Sequence, residues 1–328
     1  MEILALGVLL SAFLLGLLLG APYIRALRRF RIGQNIRPEG PQSHYVKQGI
    51  PTMGGALFIG VTCALWVFVL LLLPETERDV FIPQTIVPIG ALVFVGVLGA
   101  IDDLVNVRYG FGIRGRHKLV WQTIVGLVGA VYIQRHFGVN GVYVPLVGEV
   151  QIGEVAFVAL ALFTIVAMSN GVNLTDGMDG LAGGTAVFAF LSVAFIAAAR
   201  GFPWLVVFCA ALTGAILAFL WFNVHPAEVI MGDTGALALG ATLATIALTT
   251  GFVLLLPVLG VIFVAETVSV MIQVGAFKLR GKRVFRMSPL HNHFELIGWA
   301  EEKVTIRFWL IGAVAGIVAA ILAYATPK

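Results

Sequence analysis

The chain has 328 residues, of which 59% are hydrophobic and only 12% charged, and its mean hydropathy is +0.99. A soluble domain carries roughly 25% charged residues, so lipid must solvate much of this surface and a soluble enzyme is excluded. The formal net charge of +4 is modest and matters only through its distribution.

The first apolar run, 3–24, follows Glu2 and precedes Arg25, Arg28, Arg29 and Arg31. A secretory signal carries its positive charge ahead of the apolar run. The order here is reversed, which predicts a retained helix with its N-terminus outside. Further runs at 52–73, 83–101, 118–134, 155–172, 181–199, 203–222, 234–250, 252–275 and 304–325 approach the length that crosses a bilayer as a helix, about 20 residues. The expected fold is an all-α polytopic membrane protein of about ten transmembrane helices, one domain over 1–328, with Pro257 kinking the ninth helix. Residues 139–153 read as two short β-prone pieces around Pro145 and Gly148, which predicts a small external hairpin. Cys63 and Cys209 lie inside apolar runs and read as small buried side chains.

The loops orient this array. With the N-terminus outside, the cytoplasmic loops and flanks are 25–51, 102–118, 173–180, 223–233 and 276–307. They hold 17 of the 21 Lys and Arg residues and leave Arg78, Arg135, Arg200 and Lys328 outside. That bias supports both the orientation and an even helix count.

The same loops carry the acids that read as chemistry. An acid at a membrane boundary is ordinarily a solvated helix end. Asp102, Asp103, Asp176, Asp179 and Asp233 instead cluster in three loops, each beside Gly, Asn or a basic residue. Asp102 and Asp103 repel one another, and a divalent metal is the economical compensation. Their side chains point about 100° apart on a helix, so only one faces a given ligand directly. Asn173, Asp176 and Asp179 are spaced by three and share one side if that stretch is helical. Asp233 stands between Gly232 and Gly235 before a helix, where backbone N–H groups suit phosphate oxygens and a carboxylate suits Mg²⁺. No Walker A sequence is present, which argues against a P-loop nucleotide hydrolase. The last loop is basic, with Lys278, Arg280, Lys282, Arg283 and Arg286, and then runs Ser288-Pro289-Leu290-His291-Asn292-His293-Phe294-Glu295. Its two histidines lack the further ligands a zinc site needs.

Several of these strings together resemble the phospho-N-acetylmuramoyl-pentapeptide transferases, within the polyprenyl-phosphate N-acetylhexosamine 1-phosphate transferases. They are Pro51-Thr52-Met53-Gly54-Gly55, Asp102-Asp103, the run from Asn173 to Ala182, Met231-Gly232-Asp233 and the run from Ser288 to Glu295. The resemblance follows the motif order along essentially the whole chain. It implies ten membrane helices in the bacterial cytoplasmic membrane and an active site that faces the cytoplasm and uses Mg²⁺. It implies transfer of phospho-MurNAc-pentapeptide from UDP-MurNAc-pentapeptide to undecaprenyl phosphate, giving lipid I and UMP for peptidoglycan synthesis. Carried over by residue, Asp102, Asp103 and Asp233 match the catalytic acids, with Asp233 and Asp103 linked to the metal. Lys47, Thr52, Lys118, Asn173, Asp176, Asp179, Asn223, Gln273, His291 and His293 match further substrate-binding positions. The chain departs from the pattern at Asn106, where a lysine is common, and at Asn292, the middle of three histidines. It departs again at Ile230, where some members place a phenylalanine near the nucleobase.

A sister enzyme moving GlcNAc-1-phosphate to the same lipid would share the acids, and the loop from Ser288 to Glu295 disfavours it. A secondary transporter would place coupling acids such as Glu266 near the midplane; here the acids gather at one face and no inverted repeat is visible. The expected partners are the nucleotide-sugar, the lipid phosphate and the bilayer, not nucleic acid. The sequence leaves a homodimer open.

Overall fold

The computed structural model describes residues 1–33 and 49–327. Among the described residues, ten helices of 18 to 35 residues fall on the ten apolar runs. Helix α1 (Glu2–Arg29) lies along α7, and α2 (Gly55–Leu72) packs between α7 and α1. Helix α3 (Glu75–Tyr109) has 35 residues and so is roughly 50 Å long, against a hydrocarbon core of about 30 Å. The excess length carries Asp102 and Asp103 beyond the apolar stretch. Gly110, in the left-handed region at φ +78°, ends it.

Helix α4 (Gly115–Phe137) leads to strands β1 (Gly141–Val144) and β2 (Gly148–Gln151). These form the expected hairpin, with Val142 opposite Val150 and Tyr143 opposite Glu149. Tyr143 N–H donates to Gly251 O, and Leu146 N–H donates to Thr326 Oγ1, so the hairpin closes the end of the bundle opposite the acids. Arg200 lies at the same end, 4.5 Å over the rings of both Tyr143 and Phe252.

Helices α5 (Glu154–Thr175), α6 (Leu181–Ala199), α7 (Pro203–Asn223) and α8 (Gly232–Thr249) make the centre. Among the described residues, eight helices are long and apolar enough to cross a membrane by length and composition; α4 and α8 do not reach that apolarity. For α8 the reason is packing. Every side chain from Thr234 to Thr249 is buried among its neighbours. A helix shielded from lipid by protein needs small residues for close approach rather than high hydropathy. The hydroxyls of Thr242, Thr245 and Thr249 donate back to carbonyls of their own helix, so none is buried without a partner.

The ninth segment departs from the expectation of one kinked helix. Gly251 at φ +76° is followed by a 3-10 turn at Val253–Leu255, the short α9 (Leu256–Leu259), and then α10 (Val261–Arg280). Pro257 lies in the first turn of α9, where its missing N–H is an orphan in any case. The segment is therefore a break with a restart. Helix α11 (Leu290–Leu296) is a short element at the acid end, and α12 (Glu301–Ala325) returns along α6.

Candidate active site

The end of α3 and the start of α8 meet so closely that a Cβ on Gly99 would overlap the backbone of Asp233 and Thr234. At this contact the Asp103 carboxylate caps α8. Oδ1 accepts the Asp233 N–H at 3.1 Å, and Oδ2 accepts the Thr234 N–H at 3.0 Å and the Thr234 hydroxyl at 2.6 Å. A carboxylate here satisfies orphan donors and meets the positive end of the helix. These two N–H groups were expected to suit a phosphate; the protein's own carboxylate fills that role. Gly232 has φ +72°, and a Cβ there would overlap both the Asp103 carboxylate and the Thr52 hydroxyl, so this position requires glycine. Thr52 is held beside it by a strap in which Gly54 N–H donates to Ile230 O and Ile230 N–H to Pro51 O.

Asp102, one residue earlier, turns the other way. Its Oδ1 accepts the Ile113 N–H at 2.5 Å, and its Oδ2 lies 2.8 Å from Lys118 Nζ. Lys118 in turn donates to Asp233 Oδ2 at 2.5 Å, and Asn173 Nδ2 donates to Asp233 Oδ1 at 2.7 Å. One ammonium thus joins two carboxylates brought from α3 and α8. The lysine is steadied one turn along α4. There Gln122 donates to Ser169 Oγ at 2.9 Å and accepts from Asn170, while Ser169 donates to Leu237 O on α8.

Other expected residues are held by contacts of their own. Helix α5 ends at Thr175, so Asn173, Asp176 and Asp179 do not share a helix face. Asp179 turns to the loop after α7, where its Oδ2 accepts from Ala227 N–H and lies 3.0 Å from His225 Nδ1. Glu301 Oε1 accepts the Asp179 N–H at 2.6 Å. Ligand-type atoms of Asp179, His225 and Glu301 lie within 4.8 Å of one another, a knot that ties three segments together. Asn223 accepts from Gly180 N–H and donates to Val229 O. Gln273 accepts from the N–H groups of Val284 and Phe285 and donates to Phe285 O, fixing the basic loop on α10. The polar atoms of Asn223 and Gln273 are thus taken up by backbone. His291 is buried beside Glu266, whereas His293 is half-buried and its Nδ1 accepts from Arg286 N–H at 3.2 Å. Lys47 lies outside the described residues.

The sequence reading did not single out His225, Thr234 or Glu301 for the site. Thr234 had a usable signal, a hydroxyl directly after Asp233 at a helix start. The partnerships of His225 and Glu301 join residues 46 and 122 positions from Asp179, and no local pattern shows them. Glu266 was visible as an acid inside an apolar run but pointed nowhere until His291 appeared against it.

The glycosyl transferase family 4 profile matches residues 85–251, which include Asp102, Asp103, Lys118, Asn173 and Asp233. The phospho-N-acetylmuramoyl-pentapeptide-transferase of Chloroflexus aurantiacus is 43% identical, over 95% of this chain and 88% of its own length. Proteins of the same name from Geobacillus sp. (strain WCH70) and Geobacillus thermodenitrificans are 42% and 44% identical, over 95% and 92% of each chain. Identity of this depth, sustained beyond the acid-bearing helices through nearly the whole length, means that the chain belongs to the phospho-N-acetylmuramoyl-pentapeptide-transferase family.

Proposed function

We propose that the protein transfers phospho-MurNAc-pentapeptide from UDP-MurNAc-pentapeptide to undecaprenyl phosphate in the bacterial cytoplasmic membrane, with the acid end of the bundle facing the cytoplasm. The observation that carries this reading is the meeting of Asp102 and Asp233 on Lys118, with Asp103 capping the helix that carries Asp233, at one end of a membrane bundle. A soluble nucleotide-sugar and a lipid phosphate can meet only at such an interface. In the reaction an oxygen of the lipid phosphate attacks the phosphorus attached to the sugar. A new P–O–P link forms, the bond to the bridging oxygen breaks, and UMP leaves with that oxygen.

The residues divide the work by position. Lys118 supplies positive charge where attacking and leaving phosphates crowd together. Asp102 accepts the proton of the lipid phosphate, or attacks phosphorus itself in a two-step version. Asp103 fixes α8 and with it Asp233. Two carboxylates on one ammonium, with the third, Asp103, bound to the backbone beside them, leave an excess of negative charge among oxygen donors, which fits a small hard cation such as Mg²⁺. Asp233 and Asp103 are the residues that would hold it, since both oxygens of Asp233 and Oδ1 of Asp103 accept one hydrogen bond each and keep a second lone pair. When bound, Mg²⁺ offsets the charge of the diphosphate. Thr52, Asn173, Asp176 and His293 line the approach, and Asp179, Asn223 and Gln273 hold the loops that shape it. An apolar groove of ≈ 490 Å³ between α3 and α4, bordered by Phe94 and Trp121, lies one turn from Lys118 and suits a polyprenyl chain.

Purified protein given UDP-MurNAc-pentapeptide, undecaprenyl phosphate and Mg²⁺ is expected to release UMP and form lipid I. UDP-GlcNAc in place of the muramoyl substrate is expected to give none. Turnover with UDP-GlcNAc alone would replace this reading with the sister activity, and UMP release without Mg²⁺ would remove the metal from it.

A further inference from the structure

Glu266 is a carboxylate in the second turn of α10 with 0% of its surface exposed. Burying a carboxylate is costly unless it is paired and hydrogen-bonded. Ile262, one turn before it, belongs to an apolar cluster with Met178, Leu181, Val304 and Phe308, against which Leu290 also packs. Among the described residues the carboxylate meets one polar residue, His291, which is itself 2% exposed. The His291 backbone N–H donates to Glu266 Oε1 at 3.1 Å, and Nδ1 of the ring lies 3.2 Å from the same oxygen, off the hydrogen-bond direction. The opposite edge of the ring abuts Gly177, where a Cβ would overlap Nε2 and Cε1. Gly177 directly follows Asp176 in the turn that ends α5. The imidazole is therefore clamped between a buried acid on one side and the substrate-facing turn on the other.

We propose that Glu266 is the positioning residue for His291: its buried carboxylate holds the Nδ1 side of the ring, so that Nε2 is the nitrogen presented at the Asp176–Gly177 turn to the diphosphate of the nucleotide substrate. The carboxylate bonds the His291 backbone N–H and faces the Nδ1 edge of the ring at 3.2 Å, which fixes the direction of the other nitrogen. The inference rests on the transferase reading above and adds to it a residue that touches no substrate. Glu266 acts through His291 alone. That distinguishes it from a buried acid whose work is only to anchor α11.

The test is a double-mutant cycle on UMP release by the full-length protein in detergent. Glu266→Gln keeps the shape and removes the charge. It is expected to lower kcat by about 10-fold or more while KM for the nucleotide-sugar changes less than about threefold. Combined with His291→Gln, it is expected to cause no further loss, because both changes remove one unit. An anchor for α11 would instead make the losses multiply, or would lower the melting temperature with kcat intact. Either result, or wild-type kcat in Glu266→Gln, overturns the proposal. Should Glu266→Gln not fold, Glu266→Asp retains the charge but withdraws it from the ring; it is expected to show a smaller loss with the same non-additivity, and wild-type kcat in it counts against the proposal equally. Failure of the wild-type protein to release UMP would instead strike the transferase reading itself.

Discussion

Asp102 and Asp103 are adjacent, yet helix α3 points them at different partners. Asp102 meets the ammonium of Lys118 and the Ile113 N–H, while Asp103 is spent on the backbone and hydroxyl at the start of α8. Asp102→Asn is therefore expected to lower kcat by roughly 10²-fold or more with KM for the nucleotide-sugar nearly unchanged, the signature of a lost base. Initial rates of UMP release at several substrate concentrations check this; a raised KM with intact kcat would assign Asp102 to binding. Lys118 offers a second measurement. Lys118→Gln removes the ammonium between Asp102 and Asp233, so added Mg²⁺ is expected to raise the melting temperature of this variant more than that of wild type. Equal shifts would mean that the ammonium and the cation do not compete for Asp233. The acids of this site were legible in the sequence because they cluster in three loops beside Gly, Asn or basic residues, whereas Lys118 was marked only by the family resemblance. The uses of Asp179, Asn223 and Gln273 were not legible, since their partners are backbone groups of loops and turns that only the folded chain brings near.

Helix α8 shows how an element can be central and yet weakly marked. Its Gly, Ala and Thr content lowers its apolarity, and that same content lets α3 and α5 approach it closely. The ten runs were legible because lipid-facing and core-facing helices both exclude charge. The break at 251–260 was not, because a run of Leu, Val and Pro has the same composition in one helix or in two short turns. The fixed point of α8 is its N-terminus, capped by Asp103. Asp103→Asn retains one acceptor and loses the charge, and is expected to cost roughly 1–2 kcal/mol, lowering the melting temperature by about 2–8 °C. Asp233→Asn is expected to abolish turnover with the melting temperature close to wild type, since Asp233 offers its side chain to Lys118 and Asn173 instead of to the helix end. Thermal unfolding of the two variants in one detergent compares them directly. A larger loss in Asp233→Asn would reverse the division between scaffold and chemistry.

Across the whole molecule the two ends of the bundle differ in charge and in chemistry. One end carries the acids, the short α11 and the loops that hold most of the lysines and arginines; the other carries the hairpin, Arg200 and residues 326–327. A membrane bundle with this bias is retained with its basic side in the cytoplasm. This bias supports the proposed orientation, with the acid end toward the compartment in which nucleotide-sugars are made and the hairpin outward. Both ends offer exposed apolar side chains for a labelling test, with Val147 at the hairpin tip 69% exposed and Phe111 beside Asp102 67% exposed. The native thiols, Cys63 and the buried Cys209, are first replaced by Ser and Ala. In that background Val147→Cys is expected to react with a membrane-impermeant maleimide on intact cells, and Phe111→Cys only after the membrane is opened. The reverse pattern would turn the bundle over and place the acids outside, where no nucleotide-sugar would reach them. Reaction at both positions on intact cells, with a cytosolic control protein left unlabelled, would mean that the chain inserts in two orientations. The asymmetry of basic residues would then be too weak to fix the site on one side.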